Sequence, residues 1–466
     1  MRVGEILPAI LAAALIVPPG PDGSGPGVPA ILKEFDRICA RPFWPDFHPC
    51  QIPLAVFDGR VTWLVRHPRP PEQFAAAPER KDARVFEGRH ADLRANTSVE
   101  IAGVPTASAT LERRSETPRR LAALLVHEAF HVFQAKRHPK WGGNEVDLFV
   151  YPLEDAEALA LRRLESESLR RGLAARRSAR SAAWAARALE IRRERFARLP
   201  GQAAAYERGT EMKEGLARYV EAMAEGDSAS LFPELEFPAQ SVRERAYASG
   251  AAMALLLDHL DPDWKRRLEQ RDDSTFEDLL ERAAAAARRI DFRGPETEEA
   301  RRRAAEDVAV LMRRREQLRR GFVESPGWKV VLEADDPVFP QKFDPWNVER
   351  LSASEVLHTR WVKLGNASGS LEALGRRCLT ESAGKHPLFE GLRRATVELP
   401  SEPRVEETPQ SIKISAEGLT LEFRGARLSR SGQTWTVILP RSPDRPITRS
   451  SDSGGPLPSW PSVRRR

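Results

Sequence analysis

Residues 117–139 read TPRRLAALLVHEAFHVFQAKRHP, and everything expected of this chain follows from how that stretch folds. Thr117-Pro118 supplies an N-cap with proline at the first helical position, and His138-Pro139 with Gly142-Gly143 closes the far end, so the spacing predicts one helix. Leu121, Leu124, Leu125, Val126, Phe130, Val132 and Phe133 leave it few polar faces, which puts it inside the protein. His127, Glu128 and His131 interrupt that apolar run as an HExxH. Residues four apart on a helix lie one turn above each other, so both imidazoles point the same way and can share one zinc ion. Glu128 is too far round the helix to be a natural third ligand. It is well placed to take a proton from a water held by the metal, which points to metal-assisted hydrolysis. The competing reading is a buried helix with two satisfied core histidines, and against it stands the cost of burying a carboxylate that has no role.

Two imidazoles do not complete a catalytic zinc site, which usually takes three protein ligands and leaves a fourth position for water. No histidine follows at the spacing of an HExxHxxGxxH pattern, so the remaining candidates are carboxylates. Glu154 and Glu157, in PLEDAE at 152–157, form one set; Glu214, in EMKEGLARYVE at 211–221, is the other. Glu165, Glu167 and Glu221 read as parts of solvated helix faces.

The run Glu214-Gly215-Leu216-Ala217, followed by Tyr219 and Glu221, resembles the EG-[FL]-A-x-[YF] helix of the gluzincin metallopeptidases, the group that includes thermolysin and the alanyl-type aminopeptidases. The resemblance implies that Glu214 is the third zinc ligand, and that Gly215 and Ala217 are small enough for two helices to approach closely. The chain departs from the group in spacing: a long Arg-rich helical stretch separates His131 from Glu214. Such an insertion is tolerable, because loop closure costs only about 0.6 kcal/mol per doubling of length. Farther on, Arg245 to Ala252 is similar to the Y-x-x-G segment of the alanyl-type aminopeptidases, which implies that the Tyr247 hydroxyl stabilises the oxyanion. The alternative for Tyr247 is a helix-junction cap with its hydroxyl in water. In gluzincins a sheet precedes the zinc helix and its edge strand binds extended substrate. By that resemblance Asn96 to Val104 line the cleft, with Glu100 read as an ordinary outward-facing strand residue. The likeness covers these three helices and little else of the chain.

With 466 residues, 41% of them hydrophobic, the chain can bury a large core divided into two or three domains. Its 73 Lys and Arg are interleaved with 67 Asp and Glu. The most basic region, Arg170 to Arg198, carries Leu173, Trp184, Ala188, Ile191 and Phe196 at helical spacing and reads as an amphipathic helix with a charged outer face. No zinc-finger, RRM or KH signature accompanies it, which argues against nucleic acid as a partner.

At the N-terminus, Met1-Arg2 precedes an apolar run from Ile6 to Val17, followed by Pro18, Pro19 and Gly20. This is too short to span a bilayer comfortably and reads as a signal peptide, the alternative being a buried N-terminal helix. The expectation is a secreted or periplasmic protein with no stable membrane insertion after signal removal. Cys39 and Cys50 flank a Pro- and aromatic-rich segment and could close a disulfide loop in an exported protein, leaving Cys378 alone.

Strands are expected at Leu54–Phe57, Val61–Val65 and Thr97–Gly103, then helices from Thr117 to about Gly321. A second group of strands is expected at Ala395–Leu399, Ser411–Ser415, Leu419–Phe423 and Thr434–Leu439, forming a small sandwich or barrel. His67, His90, His358 and His386 carry no recognisable spacing. The predicted architecture is α+β. A signal peptide spans residues 1–20 and an N-terminal segment with a small sheet 21–116. A helical zincin-like domain at 117–322 leads to a β-rich domain at 323–440 and a disordered tail at 441–466. The expected activity is zinc-dependent hydrolysis of a peptide or protein substrate, with His127, His131 and Glu214 on Zn2+, Glu128 as general base and Tyr247 at the oxyanion. One rival is a non-catalytic envelope binding protein that retains the scaffold. Another is zinc-dependent hydrolysis of a bond other than a peptide.

Overall fold

Apolar residues on one side of α1 (Val28–Ile38), namely Val28, Ile31, Leu32, Phe35 and Ile38, are all buried. The computed structural model describes residues 27–441 except 94–96, 112–115, 176–177, 227–230, 233–236, 272, 345–346 and 385. The expected signal at 1–20 and the tail beyond Arg441 lie outside the described residues. The chain divides into two compact units between Val308 and Ala309.

The first unit begins with a six-stranded mixed sheet. Its strands are β1 (Leu54–Phe57), β2 (Val61–Val65), β3 (Ala75–Ala76), β4 (Ala83–Glu87), β5 (Thr97–Ile101) and β6 (Val104–Thr110). Their order is β3-β4-β2-β1-β6-β5. Central β1 is buried at all four positions, which is why it reads as an unbroken apolar run. Asp58 accepts from the Arg60 and Val61 amides at 2.9 and 2.8 Å and turns β1 into β2, with Gly59 at φ 103°. The strand that precedes the HExxH helix is β6, not the expected edge strand β5, which lies one strand earlier in sequence and pairs with β6. In VPTASAT the alternating Val104, Thr106 and Thr110 are diluted by Pro105 and by small residues; its buried Ala107, Ser108 and Ala109 leave room for the helix packed on it.

That helix, α2 (Pro118–Arg137), has the predicted boundaries. Thr117 Oγ1 accepts from the Arg120 amide at 3.3 Å, and the helix ends at His138, before Pro139. Phe130 on α2 meets Trp44 and Phe47 edge-on, at ring-centre distances of 5.6 and 5.0 Å. Both rings belong to a loop closed by a Cys39–Cys50 disulfide, whose Cα atoms are 5.1 Å apart. Cys378 is free and buried.

Further helices are α3 (Glu145–Phe149), α4 (Ala156–Ala174), α5 (Ala179–Arg198) and α6 (Gly201–Thr210). A π-turn, Glu211–Gly215, continues α6 into α7 (Leu216–Glu225). Then come α8 (Val242–Leu260), α9 (Trp264–Glu269), α10 (Phe276–Ala283) and α11 (Gly294–Val323), which crosses the boundary between the units.

The Arg-rich stretch corrects the sequence reading in two ways. It forms parts of two helices, α4 and α5, and its arginines do not all face solvent: Arg192 and Arg195 are 1% and 0% exposed. Arg192 reaches Glu165 and Glu211, Arg195 reaches Glu165 and Glu207, and Arg245 on α8 reaches Glu165 and Glu207. Glu165 is thus a buried counter-ion and not part of a solvated face: Arg192, Arg195 and Arg245 share it, and together with Glu207 and Glu211 it offsets their charge in the core. Glu167, by contrast, pairs with Arg170 and Arg171 near the surface.

The second unit carries the remainder of α11 and a twelve-stranded sheet, antiparallel except where β18 (Thr434–Leu439) runs parallel to β7 (Trp328–Phe343). The other strands are β8 (Val348–Arg350), β9 (Glu355–His358), β10 (Trp361–Asn366), β11 (Gly369–Leu374), β12 (Cys378–Ser382), β13 (Leu392–Leu399), β14 (Arg404–Glu407), β15 (Ser411–Ala416), β16 (Leu419–Arg424) and β17 (Arg427–Ser431). Sixteen-residue β7 pairs through its first half with β13 and β18 and through its end with β10, so one strand joins both halves of the sheet. The expected β-rich domain is thus one twelve-stranded pairing path through β7, and apolar residues from both halves meet in a single core. His358 on β9 is fully buried, and burial pushes its imidazole down to about 3; it is a neutral core residue. The chain is an α+β protein, with a mixed sheet, a central helical region and a C-terminal sheet. Among the described residues no helix is long and apolar enough to cross a membrane.

Candidate metal centre

Helix α2 brings His127 and His131 to one face, and the π-turn lays Glu214 across them. One ligand atom from each of the three lies within 4.8 Å of the others, and all three residues are buried. Among the described residues this is the one group of three or more His, Cys, Asp or Glu able to hold a metal ion. Glu214 Oε2 is 3.2 Å from His131 Nε2 and 3.8 Å from His127 Nε2, and the two Nε2 atoms are 3.0 Å apart.

The surrounding hydrogen bonds fix the tautomers. Gln134 donates through Nε2 to the carbonyls of Met212 and Lys213 in the π-turn, at 3.2 and 2.9 Å. Its amide oxygen therefore faces His131 Nδ1, at 2.9 Å, and being an acceptor it requires the proton on Nδ1. His127 Nδ1 lies 3.0 Å from Glu221 Oε2. Burial pushes the Glu221 carboxyl up, but the His127 hydrogen bond and the Arg218 charge bring it down to about 2, so it too only accepts. With both Nδ1 atoms protonated, the Nε2 atoms of neutral rings are bare and turn their lone pairs on each other and on a carboxylate oxygen. Such a cluster holds either a proton or a metal cation. When the cluster holds the proton, burial pushes Glu214 up, but the His131 imidazolium and then Arg243 overcome it and keep the carboxyl well below the usual carboxylate range.

Neither Glu221 nor Gln134 stood out in the sequence, and the solvated-face reading of Glu221 is overturned. Both have the signal of helical spacing: Glu221 is two turns beyond Glu214, and Gln134 is one turn beyond His131.

The π-turn is pinned from behind by α8. A Cβ on Gly215 would stand 2.7 Å from Gly250 Cα, and one on Gly250 would stand 2.8 Å from Glu211 O and 2.9 Å from Gly215 Cα. Two glycines therefore let the backbones touch. Tyr247, one turn earlier on α8, has its ring centre 6.5 Å from that of His127, and its hydroxyl accepts from Arg243 Nε at 3.1 Å. Tyr247 is half-buried, and burial and then the Glu214 charge push that phenol far up. Glu128 is buried on α2 beside His127.

The other candidates lie elsewhere. Glu157 pairs with Arg301 and Glu154 is exposed; neither joins the triad. His138 bonds Glu269 at 2.9 Å and stacks on Trp141. His67 bonds the Ile101 carbonyl, and His90 bonds Gln73. Edge strand β5 exposes Glu100, while Asn96 lies outside the described residues. What the arrangement offers chemically is a buried two-nitrogen, one-oxygen donor set with a carboxylate and a phenol beside it. No family model, curated protein or solved structure matches this chain.

Proposed function

We propose that this chain is a zinc-dependent peptidase of gluzincin type, acting outside the cytoplasm. The observation that carries the reading is the pair of bare Nε2 atoms 3.0 Å apart with Glu214 Oε2 against them. Three electron-rich atoms oriented onto one point by their own hydrogen-bond partners suit a divalent cation, and two imidazoles with one carboxylate suit zinc. Zinc held there supplies a Lewis acid for the scissile carbonyl and lowers the pKa of the attacking water. Glu128 takes that water's proton and returns it to the leaving amine. Tyr247 donates its phenolic hydrogen to the oxygen on which negative charge develops. As the edge strand of its sheet, β5 suits backbone pairing with an extended peptide. The Cys39–Cys50 bridge supports a secreted or periplasmic location, where such bonds persist.

Elemental analysis of the purified protein, followed by a mixed-peptide cleavage assay with and without chelator, tests this reading. Stoichiometric zinc and chelator-sensitive cleavage are expected. Zinc without turnover would favour a non-catalytic binding protein on the same scaffold. A triad without anomalous signal after soaking in excess metal would overturn the reading.

A further inference from the structure

We propose that Arg243 is the positioning residue of this centre, one guanidinium that makes Glu214 present a single oxygen and aims the Tyr247 phenol; the inference rests on the metallopeptidase reading above. Each nitrogen of Arg243 serves a different side chain. Nη2 lies 3.3 Å from Glu214 Oε1, Nε donates to Tyr247 Oη at 3.1 Å, and Nη1 pairs with Glu145 at the start of α3. The guanidinium is planar and rigid, so fixing any two of these acceptors fixes the third.

For Glu214 the result is directional. Oε1 is engaged by Arg243, so only Oε2 turns to the imidazoles, and a cation there meets one carboxylate oxygen. For Tyr247, Nε occupies a lone pair of the phenol oxygen, and the hydroxyl proton turns to the Glu214 carboxylate. An oxygen that accepts from a cationic donor is itself a stronger donor. When a cation and Arg243 occupy Glu214, the phenol proton is left for a substrate oxygen.

Arg243 is held in turn. Tyr206 Oη bonds Glu145 Oε2 at 3.2 Å, and the guanidinium lies over the Tyr247 ring at 5.3 Å. Glycines bring Glu145 there. A Cβ on Gly143 would stand 2.6 Å from Thr210 Oγ1 and 2.7 Å from the Tyr206 carbonyl, and one on Gly209 would stand 2.2 Å from Gly142 O. The segment after the HExxH helix therefore lies directly on α6, and Arg243 ties it to the ligand and the phenol. Lysine keeps the charge but concentrates its donors on one atom, which cannot span three acceptors.

The test is zinc affinity, measured by competition with a chromophoric chelator, together with the visible spectrum of the cobalt-loaded protein. It compares Arg243→Lys, Arg243→Met and Glu214→Ala with the unmodified chain, all checked for folding by circular dichroism. Removing an outer-shell partner typically weakens metal binding by about 10- to 100-fold, and that loss is expected in Arg243→Met. Arg243→Lys should fold normally yet bind zinc more weakly and shift the cobalt spectrum. Glu214→Ala should lose more affinity than either. If the folded Arg243 variants keep both affinity and spectrum while Glu214→Ala loses zinc, the positioning role is overturned and the metal centre stands. Should Arg243→Met fail to fold, Arg243→Lys decides alone. Zinc affinity unchanged in Glu214→Ala would overturn the metallopeptidase reading itself.

Discussion

Glu211 and Glu214 stand three residues apart in one π-turn and serve opposite partners. Glu211 accepts from Arg192 Nη1 at 2.9 Å and from Ser249 Oγ at 2.6 Å, within the buried ion network. Glu214 turns to His131 at 3.2 Å. Arg192 belongs to the stretch inserted between His131 and Glu214, so the insertion supplies the counter-charge that anchors the turn carrying the triad's carboxylate. A π-turn inside an α-helix is rare and occurs frequently at functional sites. Here it places both carboxylates within a single turn.

Gly250→Ala should destabilise the chain and loosen the triad together. The atoms its Cβ would meet, Glu211 O and Gly215 Cα, are backbone and cannot swing aside. Overpacking of this kind typically costs about 1–3 kcal/mol, and the strain falls on the turn that holds Glu214. Urea denaturation and zinc titration check it. Unchanged values in both would mean that the two helices part at no cost.

The ion network predicts a defined acid transition. Glu207 and Glu277 ordinarily titrate at 4.5. Burial pushes them up, but Arg195 and Arg245 around Glu207, and Arg192 and Arg208 around Glu277, bring each down to about 2. Their folded values lie below their unfolded ones, so their contribution to stability is complete above about pH 4.5 and is lost as the pH falls toward about 2. Breaking a buried pair costs about 3–5 kcal/mol, so Arg195→Met should move the acid midpoint upward. Far-UV circular dichroism across that range measures the shift, and an unmoved midpoint would contradict the account.

Glu221→Ala should keep the fold and weaken metal binding. Its carboxylate orients His127 through Nδ1, and losing such a partner typically costs about 10- to 100-fold in affinity. Arg218 would also lose its partner, at a site that is half-buried. Glu221→Gln, whose amide oxygen still accepts, should recover part of the affinity. Equal affinity in all three proteins, measured by chelator competition, would remove Glu221 from the site.

The parts of the molecule legible in its sequence are those that local chemistry determines. Thr117, Pro118 and Pro139 bound α2 because capping and ring constraints act within a turn, and Leu54–Phe57 announces a buried strand by its composition. The approach of Glu214 to the histidines was legible through its EGLA context. Arg192, Arg195 and Glu165 were misread because charged residues at helical spacing look the same whether the facing partner is water or another helix. Glu221 was misread for the same reason. Strand β6 escaped because small residues that admit a helix carry little β-propensity. Long β7 escaped because Pro337 and Pro340 interrupt it where it passes between partners.

Glu128→Gln separates metal binding from chemistry. Glu128 is buried on α2 beside His127 but is not one of the three donors, so the amide, nearly identical in shape, should leave zinc content and melting temperature unchanged. An amide cannot take up a proton from water at neutral pH. Positioned acid–base groups contribute about 10²- to 10⁴-fold, so kcat on a cleaved peptide should fall by at least that factor while KM changes little. His131→Ala should lose zinc and activity alike, because its Nε2 is one of the donors. Elemental analysis and steady-state kinetics on the two variants distinguish the roles. Full activity in Glu128→Gln would remove it as the base, and undiminished zinc in His131→Ala would remove that imidazole from the metal.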